Sequence, residues 1–338
     1  MPALRKWQRT EPTLHHYSRT MSKFLSKPAY YRPGIGGSLL ILLILFLLGS
    51  VFSVVAAFIA AAINGELSQL AQADPVGLSS ILTGRLSLVY FAQMIIPVIF
   101  IWLVGNANSH NPLCAPVKVD APHIGKFNWL TLGILLMLMT LGLSWALDPA
   151  TSNFPMPENF KDMFESIATR PVDTIVSVAI MAPLFEEFIM RGTIERGLLS
   201  KGSAAVAILW SALLFGAMHM NLWQAIPAFV LGCLFGWVYY RSHSIWAVIF
   251  MHFVNNFSSI MLFWAFPDMD PDASSRENMV QLTGTDMWYW VLVGTGALIV
   301  VVGIILLHKY LPKNPQSFKP KEILLADTSN KNSTANPQ

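Results

Sequence analysis

The chain is short of charge. Lys, Arg, Asp and Glu supply only 12% of its 338 residues, against roughly 25% in a soluble domain, which excludes an ordinary water-soluble globule. Cysteine is nearly missing as well. Cys114 and Cys233 form no disulfide framework and fit no zinc spacing, and Cys233, inside an apolar run, reads as a small packing residue. The H-E-x-x-H zinc signature does not occur, and no Ser–His or Cys–His pairing is evident. Tails and loops hold no recognisable soluble catalytic domain. No internal repeat is visible, which counts against a transporter, because many transporter folds are built from repeats.

What the chain has is apolar sequence: 54% of it is hydrophobic and its mean hydropathy is +0.51. That composition predicts an all-α, polytopic membrane bundle. About 20 helical residues cross the hydrocarbon core, and eight stretches qualify, at about 38–63, 88–105, 128–147, 172–199, 204–222, 224–241, 243–266 and 287–307. The first run is about 26 residues long, beyond the roughly 7–15 of a cleavable signal. Trp129, Trp145, Trp246, Trp264 and Trp288 fall near span ends, where interfacial anchors are expected.

Basic residues fall on one side of this map. Of the 22 Lys and Arg residues, only Arg85, Lys161, Arg170 and Arg276 lie on the other. The positive-inside rule then predicts both termini in the cytoplasm of a multi-pass plasma-membrane protein. The expected organisation is a cytoplasmic tail over 1–37, three spans over 38–165, a core over 170–265, a last loop and span over 266–310, and a tail over 311–338. Both tails are expected to be flexible.

Inside the core lie charges and polar groups that a bilayer disfavours: Glu186-Glu187-Phe188-Ile189-Met190-Arg191, Phe215-Gly216-Ala217-Met218-His219 and His252-Phe253-Val254-Asn255-Asn256. An ionisable side chain at mid-bilayer costs at least about 2.5–3.5 kcal/mol and marks a functional site by default. The depths agree if the fourth helix runs to Leu199. Glu186 and His219 then lie roughly 20–25 Å below the cytoplasmic end, and His252 about 14 Å, at 1.5 Å per residue. Arg191 and Arg196 would line the cytoplasmic approach.

Helical spacing divides the labour. Glu187 and Arg191 are one turn apart and can pair, while Glu186 points roughly 100° away. Phe215 and His219 share a face, as do His252 and Asn256. A carboxylate can activate water, imidazoles can move protons or hold a metal, and an amide can bind an oxyanion. Each also has a structural reading: a register-setting ion pair for Glu187 and Arg191, a packed histidine for His219, and an interhelical bond for Asn256. Asn255, on another face, reads as such glue. Gly232 and Gly236 allow close helix approach, and Pro183 frees backbone carbonyls beside the glutamates.

Glu-Glu-x-x-x-Arg, Phe-x-x-x-His and His-x-x-x-Asn, in this order on successive spans, resemble the CPBP family (CAAX protease and bacteriocin-processing, or Abi) of intramembrane proteases, which includes the CAAX prenyl endopeptidases. The resemblance covers about 170–265. It implies an endopeptidase with its site in a helical bundle open to the cytosol. Glu186, His219, His252 and Asn256 would be catalytic, supported by Glu187, Arg191 and Phe215. If the enzyme is a zinc metalloprotease, Glu186, His219 and His252 would hold the metal; a metal-independent glutamate mechanism is equally open. The expected partners are a peptide or protein substrate, CAAX-like or leader-related, and membrane lipid; no nucleic acid is expected. The alternatives are a proton-coupled transporter and a non-catalytic bacteriocin-immunity scaffold.

Overall fold

The computed structural model describes residues 26–65, 85–152, 154, 170–266, 273–313 and 318–319. Their regular secondary structure is helical, with no strand among them. The helices are α1 (Ile35–Ile63), α2 (Leu86–Asn108), α3 (Trp129–Thr151), α4 (171–199), α5 (Ala204–Ala217), α6 (Leu222–Ser242), α7 (Ile245–Ala265), a short α8 (Ser275–Thr283) and α9 (Met287–Tyr310). Six of them, α1, α2, α3, α6, α7 and α9, are long and apolar enough to cross a membrane. Together with α4 and the shorter α5 they occupy the eight stretches expected from hydropathy. The protein is a polytopic helical membrane bundle.

Lipid contact explains its surface. Leu43, Leu47, Val51 and Ile59 on α1 and Leu298, Val301 and Ile305 on α9 are each more than half exposed. Water would penalise such stripes, whereas hydrocarbon covers them. The five tryptophans named above are also exposed, as anchors would be. Association inside the bilayer relies on close packing. On α3 and α9, Gly142 and Gly296 face each other, and a Cβ on Gly142 would sit 2.8 Å from the Gly296 carbonyl.

The α4 helix is continuous but irregular. Residues Ile175–Met181 and Met190–Glu195 form π-helical turns that bracket the regular stretch Ala182–Ile189. π-turns of this kind cluster at functional sites. Helix α4 runs to Leu199, as the depth argument requires.

The two ends of the bundle differ. At one end, Lys201 Nζ donates to the Arg32 carbonyl (2.6 Å), Ala121 and His123 bond the carbonyls of His243 and Ser242 (2.9 and 2.7 Å), and Lys126 N bonds Tyr310 O (3.3 Å). We call this the basic end. At the other end, Ser87 pairs with Asp173, and Asp148 accepts from Ser275 (2.7 Å) and Tyr289 (2.9 Å). The parts of the expected tails that are described are packed. Residues Lys27–Tyr30 form a 3-10 turn with Ala29 buried, and Phe318 is buried against His243, ring centroids 4.0 Å apart. The remainder of both tails lies outside the described residues.

Candidate active site

Glu186 and Glu187 lie on the regular α-helical stretch of α4 between the two π-turns, and their side chains diverge as consecutive helical positions must. Glu186 Oε1 accepts from the Tyr90 hydroxyl of α2 at 2.6 Å, and its Oε2 lies 3.9 Å from His252 Nε2. Glu187, fully buried, serves the other side. Its Oε1 accepts from Arg191 Nη1 at 2.9 Å and lies 2.8 Å from His252 Nδ1. A carboxylate there makes Nδ1–H the donor, leaving Nε2 directed toward Glu186. His252 therefore links the two glutamates.

Arg191 is held on several sides. Besides Glu187, its Nη2 donates to the Gly232 carbonyl of α6 at 2.9 Å, and its Nε is 3.9 Å from Glu195 Oε2. Its guanidinium lies over the rings of Phe215 and Phe235, 4.7 and 5.5 Å from their centroids, a favourable cation–π placement once desolvated. Phe215 also meets His219 and His252 edge-on, at 5.2 and 5.6 Å. Phe215 thus separates the arginine from the imidazoles while fixing both rings.

His219 follows the last turn of α5, and its Nδ1 lies 2.8 Å from the Phe215 carbonyl. That acceptor makes Nδ1 the donor and leaves Nε2 its lone pair. Asn256 answers a defect in α4. Pro183 has no N–H to give the carbonyls one turn earlier, and Asn256 Nδ2 donates to one of them, Val178 O, at 2.8 Å. One amide hydrogen is therefore committed to backbone, so the oxyanion role expected of Asn256 has a single Nδ2 hydrogen left to it. Asn255 bonds Asn256 Oδ1 and accepts from Ser144 of α3 at 2.9 Å.

Glu186, Phe215, His219, His252 and Asn256 line one cavity of about 560 Å³ with Tyr90. The three motifs come together in one place. One expectation changes. Arg191 and Arg196 do not line an approach, because both are fully buried. Arg196 lies on the far side of the second π-turn and donates to backbone carbonyls: Pro28 (2.9 Å), Ala29 (3.2 Å), Tyr31 (2.8 Å), Val117 (2.7 Å) and Gly192 (2.5 Å). An unpaired buried cation is costly, and carbonyl dipoles are what satisfy this one. Among the described residues no three His, Cys, Asp or Glu side chains are already gathered around one point, and the zinc set of Glu186, His219 and His252 stays a proposal.

The motifs did not point to Tyr90 or Glu195. Tyr90 left only a faint signal, a hydroxyl in an apolar span. Glu195 was more legible, since Glu187, Arg191 and Glu195 repeat at one-turn spacing. Gly236 makes room for it: a Cβ there would stand 2.6 Å from Glu195 Oε2.

Residues 169–258 match the family model described as type II CAAX prenyl endopeptidase Rce1-like. A protein of Bacillus subtilis (strain 168) named "Putative membrane peptidase YdiL" is 30% identical over 129 residues, 38% of this chain and 52% of that protein. The chain thus spans about half the length of that curated relative. No solved structure matches. The CPBP resemblance carried by the three motifs is borne out over this core segment.

Proposed function

We propose that the protein is an intramembrane endopeptidase in which Glu186 activates water against a peptide carbonyl. The single observation that carries this reading is the Glu186–His252–Glu187 chain at the wall of a cavity, with contacts of 3.9 and 2.8 Å. Glu186 is buried and accessible from the cavity, the setting in which a carboxylate is a competent base. Tyr90 holds Oε1 by donation, which directs Oε2 toward the water. The water proton passes to Glu186 as oxygen bonds the carbonyl carbon. Glu186 then returns that proton to the departing amine, which breaks the C–N bond.

His252 is oriented as a general base's partner should be. Its Nδ1–H is fixed by Glu187, and Glu187 is neutralised by Arg191. His219, once protonated at Nε2, and the second Nδ2 hydrogen of Asn256 face the carbonyl oxygen as charge develops there. Glu187, Arg191 and Phe215 act as positioning residues. The family match supports a peptidase of this class. Whether zinc takes part is answered by chelation: activity lost to a chelator and restored by zinc means a metal enzyme, and indifference means a glutamate mechanism.

The test is turnover by purified protein on a peptide library. Glu186→Gln is expected to lower kcat by about 10³-fold, within the range for removing a general base, while thermal unfolding in detergent is unchanged. Wild-type turnover in Glu186→Gln sinks the assignment.

A further inference from the structure

The catalytic cavity lies at a definite end of the bundle. Its lining includes Leu86, the first residue of α2, Thr151, the last of α3, and Trp223, beside the start of α6. All three stand at the end opposite the basic one. Below the cavity, toward the basic end, Arg191, Ile194, Glu195, Val238, Tyr239 and Val248 are completely buried. That layer is closed, so the path from the reacting groups leads away from the basic end.

Charge orients the bundle. Apart from the buried Arg191 and Arg196, every Lys and Arg except Arg85, Lys161, Arg170 and Arg276 belongs to the basic end or to the sequence leading into or out of it. Arg85 and Arg170 directly precede α2 and α4 at the other end. A bias of this size retains the basic end in the cytoplasm.

We infer that the cavity is entered from the extracytoplasmic side of the membrane and takes a peptide segment with uncharged side chains around the cleaved bond. This rests on the peptidase reading and reverses the cytosolic opening that the family resemblance implies. The walls set the chemistry: apolar Leu147, Ala182 and Leu231 alternate with neutral Ser144, Ser177 and Gln224. Tyr90, Glu186, His219 and His252 are the ionisable groups on the lining. A charged side chain there would be desolvated with no fixed partner apart from the catalytic groups.

Two measurements test sidedness, one of which needs no activity. In a Cys114→Ser, Cys233→Ala background, single cysteines are placed at the cavity end (Leu222→Cys, Leu282→Cys) and the basic end (Lys201→Cys, His123→Cys). All four positions are exposed, and two per end guard against a variant that fails to fold. A membrane-impermeant maleimide on intact bacterial cells is expected to label the cavity-end pair, and the basic-end pair only after permeabilisation. Labelling of the basic-end pair in intact cells overturns the inference. The second measurement gives a quenched-fluorescent peptide of Ala, Leu, Ser and Gln to sealed vesicles. Right-side-out vesicles are expected to cut it, with loss of cleavage in inside-out ones; the opposite pattern overturns the inference. If solubilised protein cuts nothing, the peptidase reading fails while labelling still decides the side.

Discussion

Two buried arginines stand five residues apart on α4 and live in opposite chemical settings. Arg191 faces carboxylates, Glu187 and Glu195, and stacks on aromatic rings. Arg196 faces backbone carbonyls, four of them from segments outside α4. A cation among titratable partners can tune the proton affinity and orientation of its neighbours. One among fixed dipoles can do neither, and serves instead to bind the chain segments it touches. The cavity-side half of α4 is therefore organised for chemistry, and the basic-end half for holding the bundle together.

Conservative substitutions separate the two roles. Arg191→Lys keeps the charge but loses the planar fork. It is expected to reduce kcat about 100-fold, the scale of lost acid–base positioning, with KM nearly unchanged; a KM effect alone would break the comparison. Arg196→Lys has fewer donors than the five carbonyls it must satisfy. Stranded carbonyls cost about 1–3 kcal/mol each, so unfolding in detergent is expected at markedly lower temperature, with kcat per folded molecule preserved. Tyr90→Phe removes one bond to a carboxylate, worth about 1.5–3 kcal/mol. It is expected to lower kcat roughly tenfold with a smaller loss of thermal stability than Arg196→Lys.

The smallest effect belongs to the basic end. His243, between α6 and α7, is pushed down from 6.5 to about 4, first by burial and then by the nearby charges of Arg196, His123 and Lys118, against the opposing bond to the Lys118 carbonyl. An imidazole kept neutral in the fold stabilises it fully above its unfolded pKa, and that contribution is lost as pH falls from 6.5 towards about 4. His243→Asn tolerates the left-handed backbone at this position (φ 49°). It is expected to flatten the fall in melting temperature between pH 7 and 5, measured by circular dichroism. An equally steep fall in the variant would place acid sensitivity elsewhere.

Much of this was legible in the sequence because it depends on local rules. Hydropathy located the helices, and the i, i+4 spacing paired Glu187 with Arg191 and Phe215 with His219. Depth counting required α4 to continue to Leu199. What escaped depends on which strangers meet. Arg196 looked like part of an entrance because nothing in its neighbourhood announces the carbonyls of Pro28 and Val117. Asn256 carried an interhelical-bond reading beside the oxyanion one, but its partner stayed hidden because the defect left by Pro183 and the amide that answers it are far apart in the chain. Tyr90 sits outside the motif-bearing segment, and only the packing of α2 on α4 brings it to Glu186.

The second π-turn has a consequence for how this helix can change. A π-turn takes up an extra residue within a turn, so straightening Met190–Glu195 into ordinary α-helix with every residue kept would swing one flank by about 100° relative to the other. Glu186 and Glu187 could then face the cavity, or Arg196 could reach its carbonyls, but not both. The wide turn is therefore what lets one helix serve both the cavity and the Arg196 cradle, and a tightening of it is a change that α4 cannot absorb.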